Sequence, residues 1–293
     1  DIWKIGRIIP LLKPGKAADN GPSYRPISLL SPAAKILEAV ILPELSEAIN
    51  LAGHQHGFRK KHSTTTALTE ISEHICTGMN KTKPIDRTVS VAIDLSRAFD
   101  TVNHHLLLQD ILELQLNNHI KRFLCSYLHG RKTYVEFRGV KSKYRQMKQG
   151  VPQGGVLSPT LFNLYMSKMP QPPGNIKLIT YADDSNTLNS GTNINKICED
   201  LNVYLDTLDT WFKSRNLFIS PAKSSATLFT TSPHEVNLQL PIRINNEVVP
   251  TVKQPKFLGI TFDNSMSFSY HVTHLKSRLQ GKNNILKALT GTT

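Results

Sequence analysis

With 293 residues and 39% hydrophobic content, the chain is long enough to bury a sizeable core in one large or two to three small domains, which excludes a disordered protein. Lys and Arg number 35 against 22 Asp and Glu, so the formal charge is +13, and this points to a polyanionic partner such as nucleic acid. No run approaches the ~18 apolar residues of a membrane span, and Cys76, Cys125 and Cys198, far apart and without C-x-x-C spacing, argue against a zinc site or a disulfide framework and fit a reducing compartment.

In chain order, "KIGRIIPLLKPGKAADNGPSYRPISLLS" alternates short apolar runs with Pro, Gly, Asp and Asn, and predicts two strands joined by a loop. Pro32 opens a helix with Ile36, Leu37, Val40 and Ile41 at helical spacing, which Pro43 is expected to end or kink. The basic loop "GHQHGFRKKHS" leads into a Thr-capped helix, and "NKTKPIDR" is a polar connector. Val89 to Leu95 is β-branched and mostly apolar, and predicts a buried central strand with one carboxylate, Asp94, near its end. Helical patterns run from Asn103 to Leu116 and from His119 to Leu128. Two strands, "KTYVEFRG" and "KSKYRQMKQG", are joined around Gly139, and "SPTLFNLYMSKM" is a short helix capped by Ser158. "KLITYADDSNTL" predicts a hairpin with Asp183 and Asp184 at its tip. A helix from Asn193 to Arg215 carries one apolar stripe, "SSATLFT" and "PKFLGITFD" read as strands, and a last helical pattern ends near Leu289. The order lacks a regular βαβα alternation and predicts an α+β fold.

Turn chemistry favours Asn-Gly or Asp-Gly at a hairpin tip, so two adjacent aspartates there need another reason, although an exposed acidic turn is the plain alternative. Side by side the carboxylates repel, and one is pushed toward protonation unless a cation sits between them. Asp94 shifts the balance, because a carboxylate on a buried strand must be paired, hydrogen-bonded or metal-bound. Three acids at strand ends suit two magnesium ions, which stabilise the attacking and leaving oxygens in phosphoryl transfer. A basic chain with such an acidic spot is expected to act on nucleic acid and a nucleoside triphosphate.

"YADD" after an apolar strand, "AIDLSRAFDTVNH" upstream, "QGVPQGGVLSPTLFNLYM" between them, "YRPISLL" and "HGFRKKHST" near the start and "KFLGITFD" near the end resemble, in order and over nearly the whole chain, the polymerase domain of reverse transcriptases, most closely those of non-LTR, LINE-type retrotransposons. The resemblance implies a right hand: fingers over 1–88, a palm with an antiparallel sheet packed on helices over 89–262 with part of the fingers inserted at about 103–150, and the start of a thumb over 263–293. It implies an RNA-directed DNA polymerase using two Mg2+ ions, for which Mn2+ can substitute, with an RNA template, a DNA primer and deoxynucleoside triphosphates as partners. Asp94 and Asp183 match the metal-binding acids, Asp184 the second acid of the hairpin, and Leu95 a residue lending its carbonyl oxygen. Phe99 matches the aromatic beneath the incoming sugar, and Gln153 and Gly154 the loop beside nucleotide and template. Lys13 and Arg25 match finger residues that grip the triphosphate, Arg59 a template contact, and Lys223 a proton donor to pyrophosphate. "FLGITFD" resembles the primer-grip turn. Beginning within "DIWKIGRIIP" and stopping after a helical pattern, the sequence reads as an excerpt of a longer protein with flanking domains of the same polyprotein. An inactive RNA-binding remnant and a group II intron or retron-type enzyme remain as alternatives.

Overall fold

The computed structural model describes residues 2–290. The first apolar runs form β1 (Ile5–Leu12) and β2 (Tyr24–Leu29), and Pro32 sits in the first turn of α1 (Pro32–Ala48). α1 continues through Pro43, because Leu45 beyond it is fully buried and its packing outweighs the one missing N–H bond. Its inward stripe is Ala34, Glu38, Ile41 and Leu45, while Ile36 and Val40, expected on the apolar face, are each 68% exposed. α2 (Thr64–Met79) is capped by Ser63, not by a threonine. The Ser63 hydroxyl accepts from the Thr66 N–H (3.3 Å), and the Thr66 hydroxyl accepts from the Ser63 N–H (3.0 Å), a reciprocal box that satisfies two end groups at once.

β3 (Arg87–Ile93) is followed by α3 (Ala98–Thr101), α4 (His104–Glu113) and α5 (Asn118–Leu128). β4 (Lys132–Phe137) turns through Arg138 and Gly139, at φ 50° and 81°, into β5 (Val140–Lys141), and the expected second strand breaks before returning to β4 as β6 (Arg145–Gln146). Ser158 does not cap α6 (Ser158–Met166). The Glu38 carboxylate takes that place, with Oε2 accepting from the N–H groups of Val156 (2.6 Å) and Leu157 (3.0 Å). β7 (Lys177–Tyr181), β8 (Asp184–Gly191), α7 (Ile194–Ser214) and β9 (Ser225–Phe229) follow. An unforeseen hairpin of β10 (Arg243–Ile244) and β11 (Glu247–Val248) turns on Asn245 and Asn246, both at positive φ. "PKFLGITFD", expected as one strand, folds back at Leu258 and Gly259 into β12 (Lys256–Phe257) and β13 (Ile260–Thr261), before α8 (Ser269–Thr290).

The chain packs as two units. One comprises residues 2–61, 95–170 and 210–218. Its sheet has the order β2-β1-β4-β5, with β6 also on β4; β1 runs antiparallel to β2 and parallel to β4. Leu45, Leu107, Ile111, Leu124, Leu161 and Phe162 are among its fully buried side chains. The other unit comprises residues 62–94, 171–209 and 219–290, and is built on an antiparallel sheet of order β7-β8-β3-β9. β3 is interior, as its unbroken apolar run predicts, and α2 packs on the sheet through Ala67, Ile71 and Ile75 against Ile179, Leu188 and Phe229. The α7 stripe, Ile197, Leu201, Tyr204, Leu205 and Leu208, is buried, whereas no residue of α8 is. The α+β expectation, with an antiparallel sheet packed on helices, holds.

Candidate active site

The three aspartates fall in the unit built on the antiparallel sheet. Tyr181 pairs with Asp184, so the hairpin loop is Ala182-Asp183 and not Asp183-Asp184 as expected; Ala182 takes the positive φ of 58° and Asp184 opens β8. The β3–β8 ladder ends at Ile93 opposite Ser185, and one step further along both strands come Asp94 and Asp184. The hairpin acids and Asp94 therefore sit at the same end of two hydrogen-bonded neighbours. Asp94 is not the buried carboxylate the sequence suggested. It lies just past β3 with its side chain 44% exposed, while its backbone is fixed: its carbonyl accepts from the Ser220 N–H (2.8 Å) and its N–H donates to the Ser224 hydroxyl (3.1 Å). Those bonds bring the 220–224 turn, and with it Lys223, beside Asp94. Lys223 Nζ stands 3.8 Å from Asp94 Oδ2, an exposed and screened pair of small net worth.

Carboxylate oxygens suit a hard divalent cation, and acids gathered at one sheet end repel one another without one. The donor chemistry at Asp94, Asp183 and Asp184 thus fits a divalent ion. They are arrayed as neighbours and not as a closed cage: among the described residues no three His, Cys, Asp or Glu side chains form a ready metal cluster.

Lys13, Arg25, Arg59, Leu95, Phe99, Gln153 and Gly154 fall in the other unit, which joins several of them. The Phe99 carbonyl accepts from the Val151 N–H (2.8 Å), and the half-buried Phe99 ring stacks on buried Phe162, with centroids 4.4 Å apart. Gln153 accepts through its carbonyl from the Ser28 N–H of β2 (2.7 Å) and donates its side-chain amide to Asp100 Oδ1 (2.8 Å). Gly154, at φ 132°, lies so close to the Ser28 carbonyl that a side chain has no room. Asp100 is the residue the motif reading missed, although it directly follows Phe99. Burial raises its carboxyl above the usual range, opposed by the Gln153 hydrogen bond and by the charges of Arg97 and Lys13. Lys13 itself donates to the Pro22 carbonyl (3.1 Å), and Arg25 is exposed on β2, opposite Leu11. The Arg59 guanidinium donates to the Ala52 (2.9 Å) and Gln55 (3.3 Å) carbonyls, which shapes its own loop. Leu95 directly follows Asp94 in the chain, and its side chain is buried.

An antiparallel sheet with acids at one end, packed on helices, defines the palm of a right-hand polymerase. Telomerase from Candida tropicalis, solved in complex with a fragment of telomeric RNA, shares this fold with a TM-score of 0.59 at 13% identity, over 91% of this chain and 45% of that one. The chain belongs to the reverse transcriptase (RNA-dependent DNA polymerase) family, whose model matches residues 13–262. It is 34% identical to a probable RNA-directed DNA polymerase from transposon BS of Drosophila melanogaster, over 92% of this chain and 30% of that protein. It is 33% identical to one from the X-element of the same fly, over 96% and 31%. The chain thus spans about a third of the length of these curated relatives, and the resemblance to non-LTR, LINE-type enzymes holds. Enzymes of this family depend on divalent metal.

Proposed function

We propose that this chain is the polymerising core of a retrotransposon reverse transcriptase, which copies an RNA template by attack of a primer 3′-hydroxyl on a deoxynucleoside triphosphate. The arrangement of Asp94, Asp183 and Asp184 at one end of two paired strands carries this proposal. These carboxylates, with the Leu95 carbonyl, would hold two divalent ions, Mg2+ in the first instance. Bound there, the ions supply charge stabilisation to the attacking and leaving oxygens. The remaining roles belong to the chain's own side chains. Lys13 and Arg25 balance the triphosphate charge, and Lys223, beside Asp94, supplies a proton to departing pyrophosphate. Phe99, fixed from behind by Phe162, excludes a ribose 2′-hydroxyl, Gln153 and Gly154 border nucleotide and template, and Arg59 borders the template. Asp100 holds the Gln153 amide in place. On this proposal the fingers cover 1–88, the palm 89–262 with 103–150 inserted, and the thumb begins at 263.

Primer extension on an RNA template tests it. Deoxynucleotide addition that needs Mg2+ or Mn2+, stops with chelator and is lost in Asp183→Asn is expected. Extension unaffected by that substitution would remove the acids from the reaction.

A further inference from the structure

Between Lys132 and Lys148 six cations, Lys132, Arg138, Lys141, Lys143, Arg145 and Lys148, stand against one acid, Glu136, so this short stretch carries five of the thirteen net positive charges. It forms the β4–β6 arm. All six cations are exposed and, among the described residues, none is in an ion pair; Glu136 is instead met by Arg7 of β1 (3.5 Å). Like charges crowded this way repel one another unless a polyanion lies across them.

Aromatic rings are interleaved with the cations. The β4–β6 register, Lys132 opposite Gln146 and Thr133 opposite Arg145, continues to Tyr134 and Tyr144, whose rings meet edge to face at 5.3 Å. Tyr144 is 61% exposed, and Lys141 Nζ lies 6.0 Å from the Tyr134 ring centre. At the turn, the Arg138 guanidinium lies 5.3 Å from the ring centre of Phe137, which is also exposed. A nucleic-acid duplex, whose base faces are stacked inside it, would engage the cations alone. A single strand engages both sets, because its phosphates meet the cations and its unstacked bases find π faces on which to stack.

We propose that the β4–β6 arm is a docking surface for single-stranded RNA, distinct from Lys13, Arg25, Arg59, Gln153 and Gly154. It takes from the polymerase proposal only the identity of the polymer. Binding is therefore measured without catalysis, on the whole chain, in chelator and without nucleotides, using labelled oligo(U) and an oligo(A)·oligo(U) duplex. Lys141→Gln/Lys143→Gln/Arg145→Gln should weaken oligo(U) binding about tenfold or more and reduce the slope of log affinity against log salt by about 2. Tyr144→Ala should weaken oligo(U) about fivefold or more while leaving the duplex and the salt slope unchanged, and Tyr144→Phe should retain wild-type binding. An unchanged affinity and slope in the triple variant overturns the proposal. So does an equal loss for single strand and duplex in Tyr144→Ala, which means that the ring does not meet bases. A wild-type chain that fails to extend primers would sink the polymerase proposal and leave these binding comparisons standing.

Discussion

Asp183 lies in the hairpin turn while Asp184 is already paired with Tyr181, so two adjacent and identical side chains have different backbone anchorage. Replacing Asp94 or Asp183 with Asn removes one of the charges that the proposal assigns to the metal ions and no basic side chain. Extension should fall by about a hundredfold or more, while RNA binding by the same preparation stays within about twofold, since the substitution removes no cation that could meet a phosphate. Wild-type extension by either variant counts against the assignment. At Phe99 steric exclusion and core packing make different predictions: the ring stacks on Phe162, and the residue is half-buried. If Phe99 excludes the 2′-hydroxyl as proposed, Phe99→Val should raise the ribonucleotide-to-deoxynucleotide efficiency ratio about tenfold or more, because it then removes a clash with one sugar only. A folded variant with an unchanged ratio shows that the ring is merely core. The motifs made these residues legible. Asp100 was not, because its bond to Gln153 joins positions 53 apart in sequence.

At the scale of elements, α6 is held by a side chain from α1. Glu38 is only 1% exposed, and Gly155 beside it leaves no space, since a Cβ there would lie 2.6 Å from the Ser158 hydroxyl and 2.8 Å from the Tyr127 hydroxyl. Glu38→Ala orphans two N–H groups at the start of α6 and opens a buried gap, and should cost about 2–4 kcal/mol in denaturant unfolding. A change below about 0.5 kcal/mol, the usual effect of a surface substitution, would mean that water replaces the carboxylate. The apolar stripe of Ile36, Leu37, Val40 and Ile41 pointed elsewhere, and only the folded helix places Glu38 on the buried stripe of Ala34, Ile41 and Leu45, where an acid is out of place. A second clamp joins Arg87 at the start of β3 to Glu235 through bonds of 2.7 and 3.0 Å, and the Thr230 hydroxyl adds another (2.7 Å). The Arg87 hydrogen bonds hold the Glu235 carboxyl below its usual range. A depressed folded value makes the clamp's contribution complete above the unfolded value of about 4.3 and lost as pH falls through the folded one. The stability gap between wild type and Glu235→Gln should therefore be about 1 kcal/mol and flat above about pH 5, and should close below about pH 4. A gap that persists in acid would show that shape, not charge, makes the difference.

For the molecule as a whole, the +13 charge predicts RNA binding that weakens log-linearly with salt, by about a hundredfold between roughly 50 and 200 mM if about five phosphates are neutralised. A flat response would place the binding energy in uncharged contacts. The sequence by itself determined the α+β class, most helices, the interior placement of β3 and the family, because these follow from periodicity and from motifs read within short windows. The +13 charge also pointed to a polyanionic partner, since charge needs no fold to be counted. Only the tertiary structure decided that Asp94 ends beside Asp184 in half-exposed surroundings, that Lys223 is carried to Asp94 by the 220–224 turn, and that Asp100 and Glu38 hold the loop and the helix following Gly150. Those facts depend on strand register and on hydrogen bonds between segments 50 to 130 residues apart, whose geometry is fixed by packing and leaves no periodic trace in the chain.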